Sequence, residues 1–408
     1  MASTPLAVSA QSSIWVGTWA AAQQTPEPAN ALAPDEMRDA TIRETFRVSV
    51  GGRFVRVRLS NAFGTAPLHF ASVHIARPVR PTGAQVTATI DAGTDRAVTF
   101  AGRPDVTVPA GAECWSDPIA WPVAALSNVA VSFHLKDPPQ GETGHPGSRA
   151  TTFVAHGDLT GAANMPAAKE VEHWYQVSGI DVQAKPPATA IVALGDSITD
   201  GHGSTTNGND RWTDFLAERL QAAAVTKNIG VLNEGIGGNH LLTDGLGPNA
   251  LARLDRDVLA QTGVRWVIVF EGVNDLGDLT QEAPVPAAEH EALVGRVIAA
   301  YQQIIARAHA HGLMVIGATI TPYLGSDYYH PDESNEADRQ AVNRWIREPG
   351  HFDAVIDFDA MVRDSQRPDR LLAAYDCGDH LHPSPAGYRA MANGIPLALF
   401  GTQGNGKR

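Results

Sequence analysis

Five residues in the second half of this 408-residue sequence are of the types that acyl transfer requires: Ser197, Gly238, Asn274, Asp379 and His382. A serine hydroxyl becomes a nucleophile when a neutral imidazole accepts its proton, and Asp379, three residues before His382, could hold that imidazole in the required tautomer. The charge that develops on the acyl oxygen needs N–H donors. The backbone N–H groups of Ser197 and Gly238 and the side-chain amide of Asn274 could supply them.

These residues also have ordinary structural explanations. A Gly-Asp-Ser triplet is a common turn, and Asn274-Asp275 alone could be a turn or a helix cap. His382 could simply precede a helix, because Ser384 and Pro385 are typical of an N-cap and a first helical position. Catalysis is therefore indicated only by the occurrence of all these residues together, in this order.

Other polar residues near the five have less defined roles. His380, two residues from His382, is a competing base, because two residues in an extended segment point to similar sides. Asp196 is expected to support the turn at Ser197 by hydrogen bonding rather than to transfer a proton. Three further histidines could line the rim of the site or lie in exposed loops: His202, His240 and His330.

The elements that must position these residues can be read from apolar runs in the second half of the chain. The runs are Ala190 to Leu194, Val231 to Glu234, Trp266 to Phe270, Met314 to Ala318 and Ala354 to Phe358. Segments of helical period, such as Trp212 to Leu220 and Leu293 to Ile305, separate them. Strands buried on both faces and joined by helices predict a parallel α/β sheet, whose ligand site lies beyond the carboxyl ends of the strands.

The first half of the chain has short alternating runs broken by Gly, Pro and Asp. The runs Arg43 to Val50 and Arg53 to Ser60 flank Gly51-Gly52 and predict a hairpin, because paired glycines supply the positive φ of a tight turn. Regular short strands of this kind predict an all-β sandwich, for which we expect a jelly-roll-like form. Lys185-Pro186-Pro187 indicates a linker, because adjacent prolines stop helices and strand ladders.

These patterns divide the chain into four parts. Residues 1–13 are either a disordered terminus or the remnant of a trimmed export signal, since Val8-Ser9-Ala10 has the small residues found before a signal-peptidase site. Residues 14–180 form the accessory sandwich, residues 181–188 the linker and residues 189–402 the α/β domain. We expect an exported protein, periplasmic or extracellular.

The composition excludes several classes of protein. The 44 acidic and 31 basic residues give a formal charge of −13, which disfavours nucleic acids and anionic membranes as partners. The apolar fraction of 43% is that of a globular chain, and no run of about 18 uncharged apolar residues predicts a membrane span. Gly235, Gly237 and Gly238 do not complete the GxGxxG pattern, so no nucleotide cofactor is expected.

Cys114 and Cys377 are the two cysteines of the sequence. They are too few for a four-ligand zinc site. Two cysteines in an exported protein favour pairing, which makes Cys114 and Cys377 a candidate disulfide. Such a bridge would hold the segment of Asp379 and His382 against the sandwich. Two unpaired thiols are the alternative.

Four short blocks of the sequence resemble those of the SGNH (GDSL) hydrolase superfamily. The matching blocks, in the same order, are Gly195-Asp196-Ser197, Gly238-Asn239, Gly272-Val273-Asn274-Asp275 and Asp379-His380-Leu381-His382-Pro383. The resemblance covers residues from about 189 to 400 and does not extend to the first half. It implies a three-layer α/β/α sandwich with a five-stranded parallel sheet.

The resemblance also implies roles for the five residues. Ser197 would be the nucleophile, and Asp379 and His382 would complete the triad, which favours His382 over His380. Gly238 and Asn274 would join the Ser197 N–H in the oxyanion hole. The implied activity is hydrolysis of carboxylic esters through an acyl-serine intermediate, without metal or cofactor.

The expected substrates are small acyl esters, such as O-acetylated carbohydrates. A sandwich appended to an exported enzyme could face carbohydrate, and no long apolar segment suggests the lid of a lipase. One alternative is a lysophospholipase or thioesterase that acts on longer acyl chains. Another is a carbohydrate-binding surface protein whose hydrolase domain is inactive. The sequence gives no indication of the oligomeric state.

Overall fold

A computed structural model describes residues 13–79 and 86–401 of the chain. These residues form an antiparallel β domain followed by a parallel α/β domain, which confirms the predicted fold class. The predicted export-signal remnant, residues 1–13, lies outside the described residues except for Ser13. Export therefore stays a prediction.

Strands β1 to β14 belong to the β domain. The strands are β1 (Ile14–Ala20), β2 (Ala40–Arg47), β3 (Gly52–Ser60), β4 (Leu68–Pro78), β5 (Ile90–Ala97), β6 (Val106–Val108), β7 (Glu113–Trp115), β8 (Ile119–Val123), β9 (Asn128–Leu135), β10 (Gly144–His145), β11 (Thr152–His156), β12 (Lys169–Val171), β13 (Trp174–Tyr175) and β14 (Val177–Ala184). One sheet has the order β1-β14-β3-β7, with β8 beside β3. The other has the order β12-β11-β2-β9-β4-β5, with β6 beside β4, and β10 pairs with β13 separately. Apolar side chains of both sheets, such as Val57 and Phe133, are fully buried in one core, as in a sandwich.

The hairpin predicted at Gly51-Gly52 is wrong. β2 pairs with β9 and β11, whereas β3 pairs with β14, β7 and β8, so the two strands lie in different sheets. Residues 48–51 carry the chain from one sheet to the other, and the side chains of Val48 and Val50 are buried on the way. Alternating apolar residues show which face of a strand is buried but not which strand it pairs with.

The predicted linker, residues 181–188, is also wrong in its first half. Strand β14 continues to Ala184 and lies between β1 and β3, with Ile180 and Val182 fully buried. Only residues 185–188 connect the domains, because β15 begins at Thr189. Pro186 and Pro187 lie just after the end of this strand, so they mark the linker correctly but not its first residue.

The α/β domain contains five strands and the helices of the described chain. The strands are β15 (Thr189–Gly195), β16 (Ile229–Gly235), β17 (Val264–Phe270), β18 (Met314–Ala318) and β19 (Ala354–Ile356). The helices are α1 (Ser197–Asp200), α2 (Trp212–Ala222), α3 (Ala250–Leu254), α4 (Val273–Asp278), α5 (Ala287–Ala310), α6 (Glu333–Arg347), α7 (Phe358–Val362) and α8 (Pro385–Gly394), with a π-helical turn at Asp255–Leu259 and a 3-10 turn at Leu397–Phe400.

All five strands are parallel and have the order β16-β15-β17-β18-β19. The helices pack in two groups, α2, α7 and α8 in one and α3 to α6 in the other, which gives the predicted three-layer arrangement. As predicted, Ser384 caps α8 and Pro385 takes its first position. No helix among residues 13–79 and 86–401 combines the length and the apolar character needed to cross a membrane.

The β domain packs on the edge strand β16 of the parallel sheet. Ser49 Oγ accepts a hydrogen bond of 3.0 Å from the backbone N–H of Val231 in β16. The Gly17 N–H of β1 donates to Thr262 O at 2.9 Å. Buried apolar side chains form one continuous core through both domains. The β domain is therefore packed against the edge of the parallel sheet and is not joined to it by the linker alone.

The candidate disulfide between Cys114 and Cys377 is absent, and both cysteines are free. Cys114 lies in β7 and pairs with Leu59 of β3 inside the β domain. Cys377 lies in the loop before α8, where its side chain packs against Gly203. Each cysteine is thus held by neighbours of its own domain, and a disulfide would need their Cα atoms within about 7 Å of each other.

Candidate active site

Ser197 is held at the sharp turn between β15 and α1. It is the first residue of α1, and the preceding Asp196 caps this helix by accepting a hydrogen bond of 2.9 Å from the Ile198 N–H. Burial raises the pKa of Asp196 to about 7, and the nearby Asp275 carboxylate acts in the same direction. Asp196 supports the turn, which is the role expected from the sequence.

The side chains of Ser197, His382 and Asp379 form a continuous hydrogen-bonded chain. Ser197 Oγ lies 2.8 Å from His382 Nε2, and His382 Nδ1 lies 2.6 Å from Asp379 Oδ2. The other carboxylate oxygen of Asp379 accepts from the backbone N–H groups of Leu381, at 2.9 Å, and His382, at 2.8 Å. This arrangement leaves His382 Nε2 to accept the serine proton.

The charge of Asp379 is maintained by its hydrogen bonds. Burial alone would raise the pKa of this carboxyl, but the hydrogen bond and charge of His382, with the two backbone N–H groups, hold it well below its usual range. Asp379 therefore stays ionised at any pH at which the protein would be assayed. An ionised carboxylate can fix the imidazole and stabilise the imidazolium that forms during the reaction.

The competing base His380 lies in another pair. Its Nδ1 is 2.6 Å from Asp376 Oδ2, its side chain is about half exposed, and its backbone has a positive φ of 61°. It makes no hydrogen bond to Ser197. The structure thus brings His382, and not His380, to the serine.

The residues expected to stabilise an oxyanion lie in the same pocket as Ser197. Gly238 follows β16 and has a φ of +63°, which a residue with a Cβ rarely adopts. Asn274, in the first turn of α4, donates one amide hydrogen to Asn239 O at 2.6 Å. Its carbonyl oxygen accepts from the hydroxyl of Tyr329 at 2.5 Å. The second amide hydrogen of Asn274 is left to face the pocket.

Two positioning residues were not found from the sequence. Tyr329 fixes the Asn274 amide, as described above. Arg253 is fully buried and donates to Gly195 O at 3.0 Å, Glu234 O at 2.6 Å and Asn239 Oδ1 at 3.0 Å. It thus ties together the ends of β15 and β16 and the loop that follows. Neither residue lies in a catalytic block, and one sequence offers no signal that would single it out.

The pocket at Ser197 has a volume of about 810 Å³ and is shared between the domains. The α/β domain supplies the triad, Gly238, Asn274 and Tyr329. The other wall of the pocket comes from the β domain. Its residues are Gln24, Glu27, Asn30, Pro146, Gly147, Arg149, Glu172 and His173. No catalytic or pocket residue of the β domain was predicted from the sequence, and only the structure reveals this wall.

The β domain also contacts α1, the helix that begins with Ser197. His145 Nδ1 lies 2.8 Å from Ala22 O and therefore donates, while His145 Nε2 lies 2.8 Å from Asp200 Oδ1 at the end of α1. Both side chains are buried. A Cβ at Gly147 would lie 1.8 Å from Asp200 Oδ2, so only glycine permits this close approach. Asp200 is thus enclosed by the segment that follows β10.

The three rim histidines differ in their surroundings. The His202 ring packs against the His382 ring at a tilt of 36°, with centroids 4.0 Å apart, and lines the pocket. Burial, with the charges of His382 and Arg149, lowers the pKa of His202 to about 4, so its ring is neutral at pH 7. His240 pairs with Asp278 at 2.7 Å, and His330 is exposed.

Two groups of side chains at the site have the types that metals bind. They are His202, Asp379 and His382, and Asp376, Cys377 and Asp379, with the ligand atoms of each group within 4.8 Å of one another. In the first group, His382 is already engaged by Ser197 and Asp379. We assign no catalytic step to a metal, because the triad contains a nucleophile, a base and a carboxylate.

A model of the GDSL-like lipase/acylhydrolase family matches residues 193–390, which contain the whole triad. The α/β domain belongs to this family. The protein is accordingly a carboxylic ester hydrolase. No curated protein gives a significant sequence match.

About half of the chain also aligns with solved structures of a lipase and an esterase. A GDSL-like lipase from Bacteroides thetaiotaomicron VPI-5482 is 18% identical, with 52% of this chain and 88% of that chain covered and a TM-score of 0.38. A catalytic mutant of an acetylxylan esterase from Geobacillus stearothermophilus is 22% identical, with 50% of this chain and 91% of that chain covered and a TM-score of 0.37.

Replacing Asn274 with alanine should lower kcat for an activated acetyl ester roughly 100-fold, with a smaller change in KM. The reason is that the amide faces charge that exists only in the transition state. Steady-state kinetics with 4-nitrophenyl acetate measure both constants. An increase in KM at unchanged kcat would instead make Asn274 a substrate-binding residue. Asn393→Ala, at an exposed position of helix α8 outside the pocket, is the matched control.

Proposed function

We propose that the enzyme hydrolyses short acyl esters, acetyl esters first of all, whose alcohol part is a carbohydrate or a similar polar molecule. The observation that carries this proposal is the shared pocket: a serine triad on one side, a mostly polar wall from the β domain on the other. Export, suggested by the sequence, would give such an enzyme access to extracellular carbohydrate.

The geometry supports a two-step acyl transfer. Ser197 Oγ attacks the ester carbonyl while His382 Nε2 takes its proton, which forms a tetrahedral intermediate. His382 then returns the proton to the leaving alcohol oxygen, and the acyl group stays on Ser197. A water molecule, activated by the same imidazole, releases the acid and restores the serine.

Three donors are available for the intermediate's oxyanion. Among the described residues, none accepts a hydrogen bond from the backbone N–H of Ser197 or Gly238. The second amide hydrogen of Asn274 is also free of a protein acceptor. All three groups border the pocket, so they support the proposed oxyanion hole.

A short acyl group is favoured by the side chain of Leu246. A Cβ at Gly238 would lie 3.2 Å from Leu246 Cδ1, so this side chain packs beside Gly238 in the wall of the pocket. The loop of Leu246 is held in place because Gln24 of the β domain donates to Leu246 O at 3.0 Å. Little room therefore remains for an acyl chain on this side.

A polar alcohol is favoured by the rest of the pocket. Charged and amide side chains predominate on the wall from the β domain, and they can exchange hydrogen bonds with hydroxyl groups. Tyr328, which is 64% exposed, lies at the pocket and offers an aromatic ring of the kind on which sugars stack.

A series of 4-nitrophenyl esters tests the acyl part of the proposal. We expect kcat/KM to fall steadily from acetate to butyrate to octanoate, and acetylated xylo-oligosaccharides to release acetate. Leu246→Ala should shift the preference toward butyrate, because it removes the side chain beside Gly238. A wild-type preference for octanoate would favour the longer-chain alternative. Absence of turnover of every ester would favour a catalytically inactive binding protein.

A further inference from the structure

The β domain places an arginine next to the catalytic triad. Arg149 lines the pocket and donates from Nη2 to His202 Nδ1 at 3.1 Å. The His202 ring packs in turn against the ring of His382, and its Nε2 lies 3.7 Å from Asp379 Oδ2. Only the ring of His202 therefore separates the guanidinium from His382 and Asp379.

This arginine has no acidic partner. Among the described residues, no carboxylate lies within 4.0 Å of its guanidinium nitrogens, and its only polar side-chain partner is the neutral ring of His202. Its Nε is shielded by the protein, and no described atom accepts a hydrogen bond from it. An arginine so placed retains its full charge and most of its five donors.

The backbone at Arg149 is held in an uncommon conformation. Its φ is +47°, in a region that non-glycine residues seldom occupy, and the Asn207 N–H fixes its carbonyl at 2.8 Å. Such conformations persist where the surrounding structure enforces them, and they concentrate at functional sites. The loop thus presents the side chain at the pocket in a defined position.

None of the carboxylates that line the pocket pairs with Arg149. Asp200 is paired with His145 and Asp379 with His382, and no described cation pairs with Asp327. Glu172 accepts from the Thr206 hydroxyl at 3.2 Å, and Glu27 accepts from the Asn30 amide at 2.7 Å. They do not neutralise Arg149, although the chain as a whole carries a formal charge of −13. A small anion that enters the pocket would find its strongest attraction at this guanidinium.

Arg149 lies on the side of the triad where the alcohol must sit. His382 delivers its proton to the leaving alcohol oxygen, and Arg149 stands behind His202 on the His382 side. The proposed acyl side, marked by Gly238 and Leu246, is supplied by a different loop. A group bound by Arg149 therefore belongs to the alcohol part of the ester.

We propose that Arg149 binds a carboxylate on the alcohol part of the substrate, so that the preferred esters are O-acylated acidic sugars or other hydroxy acids. A planar guanidinium matches a carboxylate with two parallel hydrogen bonds, which also orients the ester. This inference rests on the proposed ester hydrolysis and names the class of alcohol. Arg149 is thus a specificity-determining residue contributed by the β domain.

Matched aryl acetates test the inference. The pairs are 3- and 4-acetoxybenzoate against 3- and 4-acetoxybenzamide, which differ in charge and little in size. For at least one pair, we expect the wild-type ratio of kcat/KM, anionic over neutral ester, to exceed the ratio in Arg149→Gln by about tenfold. The comparison between variants cancels the intrinsic reactivity of the esters. Arg149→Lys keeps the charge but loses the two parallel N–H donors, so its kcat/KM ratio should lie between those of the wild type and Arg149→Gln.

Arg53→Gln is the matched control, because it removes the same charge from an exposed position of the β domain outside the pocket. In Arg53→Gln, the ratio of kcat/KM for the anionic ester over the neutral ester should equal that of the wild type. Product inhibition supplies a measurement that needs no variant: the hydroxybenzoate should inhibit the wild type more strongly than the hydroxybenzamide, and less so at high salt.

The outcomes separate the two proposals. If both esters are hydrolysed but their ratio is the same in wild type and Arg149→Gln for both pairs, the inference is wrong and ester hydrolysis stands. Equal inhibition by the charged and neutral products would overturn it as well. If neither ester is turned over faster than by Ser197→Ala, the proposed function itself fails.

Discussion

Replacing Ser197 with alanine should reduce ester turnover by several powers of ten while the protein keeps its fold. Alanine fits the turn between β15 and α1, but it has no hydroxyl to attack the ester or to hold the acyl group. Loss of one member of such a triad costs roughly 10⁴-fold to 10⁶-fold in kcat, because the members act as a unit. Hydrolysis of 4-nitrophenyl acetate under saturating conditions measures the loss.

A neighbouring serine provides the control for this prediction. The Ser204 hydroxyl donates to Gly201 O at 2.6 Å and does not line the pocket, so Ser204→Ala should retain activity close to that of the wild type. Thermal unfolding of both variants shows whether the fold is preserved. More than about one per cent of activity remaining in Ser197→Ala would mean that another group is the nucleophile.

The parallel sheet could be predicted because its signals are local. Each strand is a short apolar run, and the structure places β18 at Met314–Ala318, the same residues that form the run in the sequence. The catalytic blocks directly follow these strands, so predicting the strand ends also places Ser197 and Asn274 at one edge of the sheet. Helix α8 was predictable for the same reason, since its cap and first residue are neighbours in sequence.

Strand pairing in the β domain could not be predicted in this way. An alternating run buries one face whether it pairs with the next strand or with a distant one. β2 and β3 are adjacent in sequence but lie in different sheets, and β14 inserts between β1 and β3 from the far end of the domain. Which strands pair depends on the packing of the whole sandwich, and the sequence of a single strand carries no signal for it.

The contacts that complete the site are also non-local. Tyr329 reaches Asn274, and His145 reaches Asp200, each across 55 positions of sequence. The disulfide predicted between Cys114 and Cys377 does not form. The sandwich nevertheless contacts the elements that carry the triad, as that prediction supposed. It does so through the buried His145 and Asp200 pair and through the pocket wall. Hydrogen bonds of this kind have no spacing rule that one sequence reveals.

Replacing His382 with alanine should abolish turnover, whereas replacing His380 should not. The two histidines make a close comparison, because each is paired with a carboxylate at 2.6 Å in the same loop, but only His382 contacts Ser197 Oγ. His380→Asn is the suitable control, since asparagine tolerates the positive φ found there. We expect a loss of about 10⁴-fold or more for His382→Ala and less than about threefold for His380→Asn.

The pH dependence follows from the same geometry. The pKa of Asp379 is held well below its usual range, so this carboxyl remains charged when the medium becomes mildly acidic. His202, with a pKa lowered to about 4, also remains neutral there. Protonation of His382 stops the reaction as pH falls, because imidazolium cannot accept the serine proton. Asp196, whose pKa is raised to about 7, also gains a proton as the medium becomes acidic and contributes to the same limb. A kcat/KM profile should therefore show one acidic limb in the wild type and the same limb in His380→Asn. A limb that moves when His380 is replaced would assign the base to that residue instead.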